Sequence, residues 1–221
     1  MKPQAIVADD HRLVADGIVK ILEKEYRIVA TPTDGRSFIE AVQKLRPDLA
    51  LVDISLPLLN GLDACRKLKK SCPEVKLVIL TMHTEPYFVN EAFRVGVEGY
   101  VIKSSLADEL VFATKEVLRG CTYISPVVAP CLLLDSSPEP PRQATATQTV
   151  TLTQRQREVL QMVAEGKSNK EVAAMMKVTV KTIEFHKSRI LKELGAHSTA
   201  ELTKHAITLG LVTALHRPSA P

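Results

Sequence analysis

Short aliphatic runs alternate with longer amphipathic stretches over residues 4–118. That alternation is the pattern of strand-then-helix units, because a buried strand reads as a continuous apolar run while a surface helix shows a 3.6-residue stripe. The spacing predicts five strands, QAIVA (4–8), RIVAT (27–31), DLALVD (48–53), VKLVILT (75–81) and EGYVI (98–102), each followed by a helix. Parallel neighbours need crossover connections, so the expected fold is an α/β, doubly wound, five-stranded parallel sheet with helices on both faces. In such a sheet the working site lies at the carboxyl ends of the strands.

The pattern changes at Pro126. Five prolines mix with Ser, Thr, Gln and Ala up to Val150, and periodicity disappears. This reads as a flexible linker over 126–150, with Cys131-Leu132-Leu133-Leu134 as a short run able to dock on a domain surface. After it only helical patterns follow, near 154–165, 169–176, 180–194 and 199–209. Thr153 with Gln156, Ser168 with Glu171 and Ser198 with Glu201 have the spacing of capping boxes, and Gly166, Gly195 and Gly210 stand as C-terminal stops. The expected organisation is a domain at 1–125, the linker, and a separate all-α four-helix domain at 151–221.

Composition narrows the class. Apolar residues make up 45% and charged residues 24% of the chain, enough to bury a core. No apolar run approaches the roughly 18 residues of a membrane span, and MKPQAIVADD turns acidic too early for a signal peptide. A cytoplasmic location is therefore expected. Cys65, Cys72, Cys121 and Cys131 lack metal-ligand or disulfide spacing and are read as reduced packing residues.

Charge is uneven. Residues 1–125 carry 17 basic and 17 acidic side chains, whereas 151–221 carry 11 basic against 6 acidic and no Asp. A compact basic unit suits a polyanion such as DNA, although a solvated basic surface would have the same composition.

Asp9 and Asp10 end the first predicted strand and Asp53 the third, so a parallel sheet brings three carboxylates to one edge. Clustered oxygens need a cation, and this set suits Mg²⁺. A carboxylate beside Mg²⁺ can attack a phosphoryl group. Thr81 and Lys103, at two further strand ends, supply a hydroxyl and a positive charge for a bound phosphoryl. Each residue alone is more often a cap or a solvated surface group; their combination at four strand ends is what points to phosphoryl chemistry.

The segments IVADDH, LVDISLPLLNGLD, VILTMH and GYVIKSS resemble the successive signatures of the response-regulator receiver family, a flavodoxin-like fold, over roughly the first 120 residues. The resemblance implies that Asp53 accepts phosphate from a sensor histidine kinase. It implies also that Asp10, Asp53 and the Ser55 carbonyl hold Mg²⁺, with Asp9 acting through water. Thr81 and Tyr100 would form the switch pair, Thr81 turning toward the phosphate as the Tyr100 ring moves inward, and Lys103 would contact the phosphoryl group. Ser104 and Leu58 depart from the Pro and Gly of many receivers, which bears on loop shape.

Helices at 169–176 and 180–194, joined by Lys177-Val178-Thr179, have helix-turn-helix spacing. At about 100° per residue Ile183, Ile190 and Leu194 share one stripe, the expected buried side. Lys181, Phe185, Ser188 and Lys192 oppose it, with Thr182 and Arg189 at the margin, a composition fit for phosphates and base edges. A generic bundle with a polar face would look similar, but the outward Phe185 has no intramolecular reason to be there. His186 falls near the buried side and is read as structural.

The run LTQRQREVLQMVAEGKSNKEVAAMMKVTVKTIEFHKSRILKELGAHSTAEL closely resembles the LuxR-type helix-turn-helix, which makes the chain similar to the NarL/FixJ family of response regulators. The resemblance implies promoter DNA as partner, a homodimer on phosphorylation with half-sites about 10 bp apart, and RNA polymerase as a further candidate partner. Leu202, Ala206 and Leu209 on the last helix are the expected dimer contact. The reading that follows is a phosphorylation-controlled transcription factor rather than a metabolic enzyme. An aspartyl-phosphate phosphatase is the alternative from another class, but it would want an acid two residues after the nucleophile, where this chain has Ser55. A regulator that binds DNA without using phosphate is the third.

Overall fold

The computed structural model describes residues 1–104, 107–131 and 152–212. The chain forms two compact units, taken in turn.

The first is α/β. Its strands are β1 (Gln4–Ala8), β2 (Arg27–Ala30), β3 (Leu49–Val52), β4 (Lys76–Thr81), β5 (Gly99–Ile102) and β6 (Tyr123–Ile124). Its helices are α1 (Arg12–Leu22), α2 (Gly35–Leu45), α3 (Gly61–Ser71), α4 (Pro86–Val95) and α5 (Ala107–Leu118). All strands run parallel in the order β2-β1-β3-β4-β5-β6. The order reverses between β1 and β3, so the crevice beyond their carboxyl ends is the natural site.

The five strands expected from sequence are all present. Their cores are buried: all four residues of β3 are fully inaccessible, and Leu51 and Val78 pack with Ile18, Leu22, Leu110 and Val117 from α1 and α5. Each such aliphatic side chain contributes about 1.5–3 kcal/mol of burial. Local signals set the helix ends. Asp34 caps α2 by accepting from the Arg36 and Ser37 amides, and Pro86 opens α4 while Gly96 closes it in the left-handed region at φ 94°.

The sixth strand was not expected, because two residues carry no readable period. β6 pairs with β5 at Gly99↔Tyr123 and Tyr100↔Ile124. Ser125 continues it. Its amide donates to the Tyr100 carbonyl at 2.8 Å, its hydroxyl accepts the Ile102 amide at 3.1 Å and donates to the Glu109 carboxylate. Val128 is buried and Val128 and Ala129 donate back to the Ser125 carbonyl. The segment expected to be linker thus begins, over 126–131, as ordered chain. The remainder of that segment, with the Leu132–Leu134 docking run, lies outside the described residues.

The second unit holds α6 (Gln154–Ala164), α7 (Asn169–Met176), α8 (Val180–Leu194) and α9 (Thr199–Thr208), matching the four helices expected. Capping boxes open α6 and α7. The third differs: Ser198 accepts from the Glu201 amide, but the Glu201 carboxylate takes the His197 amide instead, at 2.7 Å. Gly166, Gly195 and Gly210 sit at positive φ, as C-terminal stops require.

The helical core joins Leu152, Val159, Leu160, Val163, Val172, Ile183, Ile190, Leu202 and Ala206. Leu202 and Ala206, two of the three residues expected as the dimer contact, are covered by this core. Leu202 is 1% and Ala206 0% exposed, and Leu209 packs against the same core. The apolar stripe of α9 has an intramolecular partner in α6, so its outward face carries other residues, Lys204 and Ile207 among them. Among the described residues no helix is long and apolar enough to cross a membrane.

Candidate functional site

Ala8 and Val52 are register partners, so the residues following them, Asp9 and Asp53, emerge side by side. The Asp53 amide donates to the Ala8 carbonyl at 3.0 Å and the Asp9 amide to the Pro32 carbonyl at 3.2 Å, fixing both bases. Both are buried and Asp10 is half-buried. One oxygen from each of the three carboxylates and a ring nitrogen of His11 lie within 4.8 Å of one another.

Lys103 follows β5, and its amide donates to the Thr81 carbonyl at 2.8 Å. Its Nζ stands 2.6 Å from Asp9 Oδ2 and 2.8 Å from Asp53 Oδ2. Burial alone would lower the ammonium's pKa, but the Asp53 and Asp9 carboxylates outweigh it and hold it above the ordinary lysine value. One cation against three carboxylates leaves the pocket net negative. Among the described residues, buried Asp9 Oδ2 meets the Lys103 ammonium at 2.6 Å and buried Asp10 Oδ1 lies 2.8 Å from His11 Nδ1. This oxygen-rich set suits a hard divalent cation.

Thr81 is fully buried beside Ile102, its register partner, and its Oγ1 accepts the His83 amide at 3.3 Å. The Tyr100 ring is already inward, fully buried, with its hydroxyl donating to the His83 carbonyl at 2.9 Å. Burial first, then the Glu85 and Asp53 charges, push the Tyr100 phenol well up. Ser55 Oγ lies 3.3 Å from His83 Nε2, and the His83 ring rests on Phe88 at 4.2 Å. The residues expected from sequence therefore converge.

Three participants were missed. His11 and His83 close the segments IVADDH and VILTMH, where the neighbouring Asp and Thr carry the more evident phosphate chemistry. Gly61 backs Asp53: a Cβ there would overlap the Asp53 carbonyl oxygen and sit 2.9 Å from its carbon. Leu58, where many receivers carry Gly, adopts φ 65°, which glycine tolerates and leucine does not favour.

In the helical unit α7, the Lys177-Val178-Thr179 turn and α8 form a helix-turn-helix. Lys177 occupies the left-handed region at φ 53° and Thr179 caps α8. Ile183 and Ile190 are buried; Lys181, Phe185, Ser188, Arg189 and Lys192 are exposed, as expected. Thr182 is half-buried, its hydroxyl 2.9 Å from that of Thr179. Phe185 is 58% exposed, and the Arg189 guanidinium lies 5.8 Å from its ring centre. His186 is half-buried, as a structural histidine would be.

A doubly wound sheet with an acidic pocket at its switch point, joined in one chain to a helix-turn-helix, defines a phosphoacceptor-controlled regulator of transcription. Residues 5–115 match the response regulator receiver domain family, and residues 150–206 match the bacterial regulatory proteins of the luxR family. The transcriptional regulatory protein DegU of Brevibacillus brevis is 32% identical over 225 residues, spanning 96% of this chain and 95% of that protein. The oxygen regulatory protein NreC of Staphylococcus carnosus is 33% identical over 207 residues, spanning 91% and 95%. A LuxR-family two-component response regulator from Aurantimonas sp. SI85-9A1 superimposes with TM-score 0.59 at 30% identity, over 61% of this chain and 98% of that one. The Salmonella typhimurium RcsB response regulator, at 24% identity, shares the fold with TM-score 0.63 over 94% and 98%. The chain belongs to the NarL/FixJ family of two-component response regulators, which join a receiver to a LuxR-type helix-turn-helix.

Proposed function

We propose that a sensor histidine kinase transfers phosphate to Asp53, and that this controls homodimerisation and sequence-specific promoter binding. The observation that carries the reading is the convergence of Asp9, Asp10 and Asp53 at the β1/β3 crevice with Lys103 bridging two of them. An Asp53 carboxylate oxygen forms the bond to phosphorus as the bond from phosphorus to the kinase's imidazole nitrogen breaks. Asp10, Asp53 and the Ser55 carbonyl would hold Mg²⁺, with Asp9 acting through water; bound there, the ion offsets charge on the phosphoryl oxygens.

Lys103 then exchanges Asp53 for a phosphoryl oxygen, and the Thr81 hydroxyl leaves the His83 amide to donate to another. Tyr100 bonds to the His83 carbonyl, so a shift at Thr81 reaches the β4–α4 loop through the same residue. The receiver is assigned to residues 1–125, the linker to 126–150 and the DNA-binding domain to 151–221, in a cytoplasmic protein that acts with RNA polymerase. Lys181, Thr182, Phe185, Ser188, Arg189 and Lys192 face promoter DNA. A dimer contact through α9 falls to its outward face around Ile207, since Leu202 and Ala206 are buried.

The test is DNA binding and molecular mass of wild type and Asp53→Ala, with and without acetyl phosphate and Mg²⁺. Gain of mass and affinity by wild type alone is the expected result; equal binding by both proteins regardless of donor overturns the phosphoswitch.

A further inference from the structure

The helical unit is basic, yet it carries six glutamates. Five have a task within the protein. Glu158 is buried with Arg155 at 3.6 Å, and Glu165 accepts from Gln161 Nε2 at 2.8 Å. Glu171 closes the capping box of α7, Glu193 accepts from Gln156 Nε2 at 2.6 Å, and Glu201 accepts the His197 amide. The sixth, Glu184, is exposed on α8 and has no hydrogen-bond or ion-pair partner among the described residues. Lys181 and Lys187 lie three residues before and after it, the spacing at which helical ion pairs form. Lys187 instead reaches the Thr199 hydroxyl at 3.3 Å.

At about 100° per residue, Glu184 falls roughly 40° from Ser188 and 60° from Lys181, on the edge of the face opposite the buried Ile183 stripe. An acid on the face that meets a polyanion is repelled by every phosphate near it. Among the described residues no contact accounts for it, and the DNA ligand can supply the favourable partner. The major-groove groups that a carboxylate meets favourably are the exocyclic amines. Cytosine presents its N4 amine alone, whereas adenine sets an acceptor, N7, beside its amine; guanine O6 and N7 and thymine O4 repel the carboxylate outright.

We propose that Glu184 is a specificity-determining residue that accepts a hydrogen bond from the N4 amine of one cytosine in each half-site. The inference rests on the reading of α8 as the DNA-facing helix. The same charge lowers affinity for DNA without that cytosine, so Glu184 trades bulk binding for discrimination.

The experiment is selection of double-stranded oligonucleotides with a randomised centre, using the full chain with acetyl phosphate and Mg²⁺, for wild type, Glu184→Ala and Glu184→Gln. Wild type is expected to enrich a motif with an invariant cytosine. Glu184→Ala should keep the rest of the motif and lose roughly tenfold preference at that position. Its affinity for unrelated DNA should hold or rise. Glu184→Gln, a near-isosteric change, should move that position toward adenine, which offers N6 and N7 to the amide together. Identical motifs from all three proteins overturn the inference while leaving α8 as the reading helix. A wild type that retains DNA but enriches no motif overturns base reading by α8 itself, and this inference with it.

Discussion

Lys103 Nζ lies 2.8 Å from Asp53 Oδ2, so the residue after β5 supplies the counter-charge of the residue after β3. The same ammonium serves Asp9, and all three side chains are at most 11% exposed. Removing one partner of a buried ion pair leaves the others uncompensated, at a cost of about 3 kcal/mol. Lys103→Ala should therefore lower thermal stability in EDTA. It should also show a larger upward shift of the melting temperature with Mg²⁺ than wild type, because a cation then replaces the missing charge. Equal Mg²⁺ shifts in the two proteins would separate Lys103 from the carboxylates proposed to hold the metal.

Gly61 makes a second test of how packing serves the chemistry. Its amide donates to the Ile54 carbonyl at 2.9 Å, and a Cβ would overlap the Asp53 carbonyl. The obstacle is backbone, which cannot rotate away, so Gly61→Ala should cost about 1–3 kcal/mol of strain. It should also slow phosphorylation of Asp53 by acetyl phosphate, read by intact mass. A Gly61→Ala protein with wild-type stability and rate would show that the loop after β3 relaxes freely.

Much of this was legible because the residues lie at strand ends. Asp9, Asp53, Thr81 and Lys103 each follow or close an apolar run, and parallel topology alone brings such positions to one edge. His83 and Gly61 were not legible in that way: each acts through backbone neighbours in a loop, and loops have no period. The α9 stripe failed for a different reason. Leu202 and Ala206 have the spacing of any buried helix face, and periodicity does not say whether the covering surface belongs to the same domain or to a partner. β6 escaped because pairing of two residues depends on Ser125, whose bonds are tertiary.

Ser125 provides the third test. It is fully buried, and its hydroxyl joins the Ile102 amide on β5 to the Glu109 carboxylate on α5. Ser125→Ala leaves a buried amide unsatisfied, which costs about 1–3 kcal/mol. Hydrogen exchange should speed up at Ile102 and over 123–131 while the β1 and β3 amides keep their protection. Uniform loss of protection across the sheet would instead mean that Ser125 supports the whole unit rather than its last strand.

The thiols differ by burial. Cys65 is fully buried on α3, and desolvation pushes its thiol from 9.0 up to about 12; Cys121 is exposed. The folded protein should therefore be alkylated at Cys121 while Cys65 reacts only after unfolding. A raised folded-state value means that the stabilising difference is intact below pH 9 and is lost as pH rises toward about 12, where the unfolded chain is the thiolate and the folded one is not. Chemical denaturation across that window should show a steeper loss of stability in wild type than in Cys65→Ala. Parallel curves would mean that other groups govern the alkaline limb.

The last test separates the two faces of α9. Leu202 is packed into the helical core, so Leu202→Ala should cost about 2–5 kcal/mol and melt the DNA-binding unit early. Ile207 is 39% exposed on the other side of the same helix, where an apolar side chain contributes little to the fold. Ile207→Asp should leave folding stability within about 0.5 kcal/mol of wild type. If the outward face joins two copies on DNA, two aspartates brought together across a symmetric contact repel each other. Sedimentation with a two-half-site duplex should then give one bound copy where wild type gives two. Unchanged pairing by Ile207→Asp would move the dimer contact off α9.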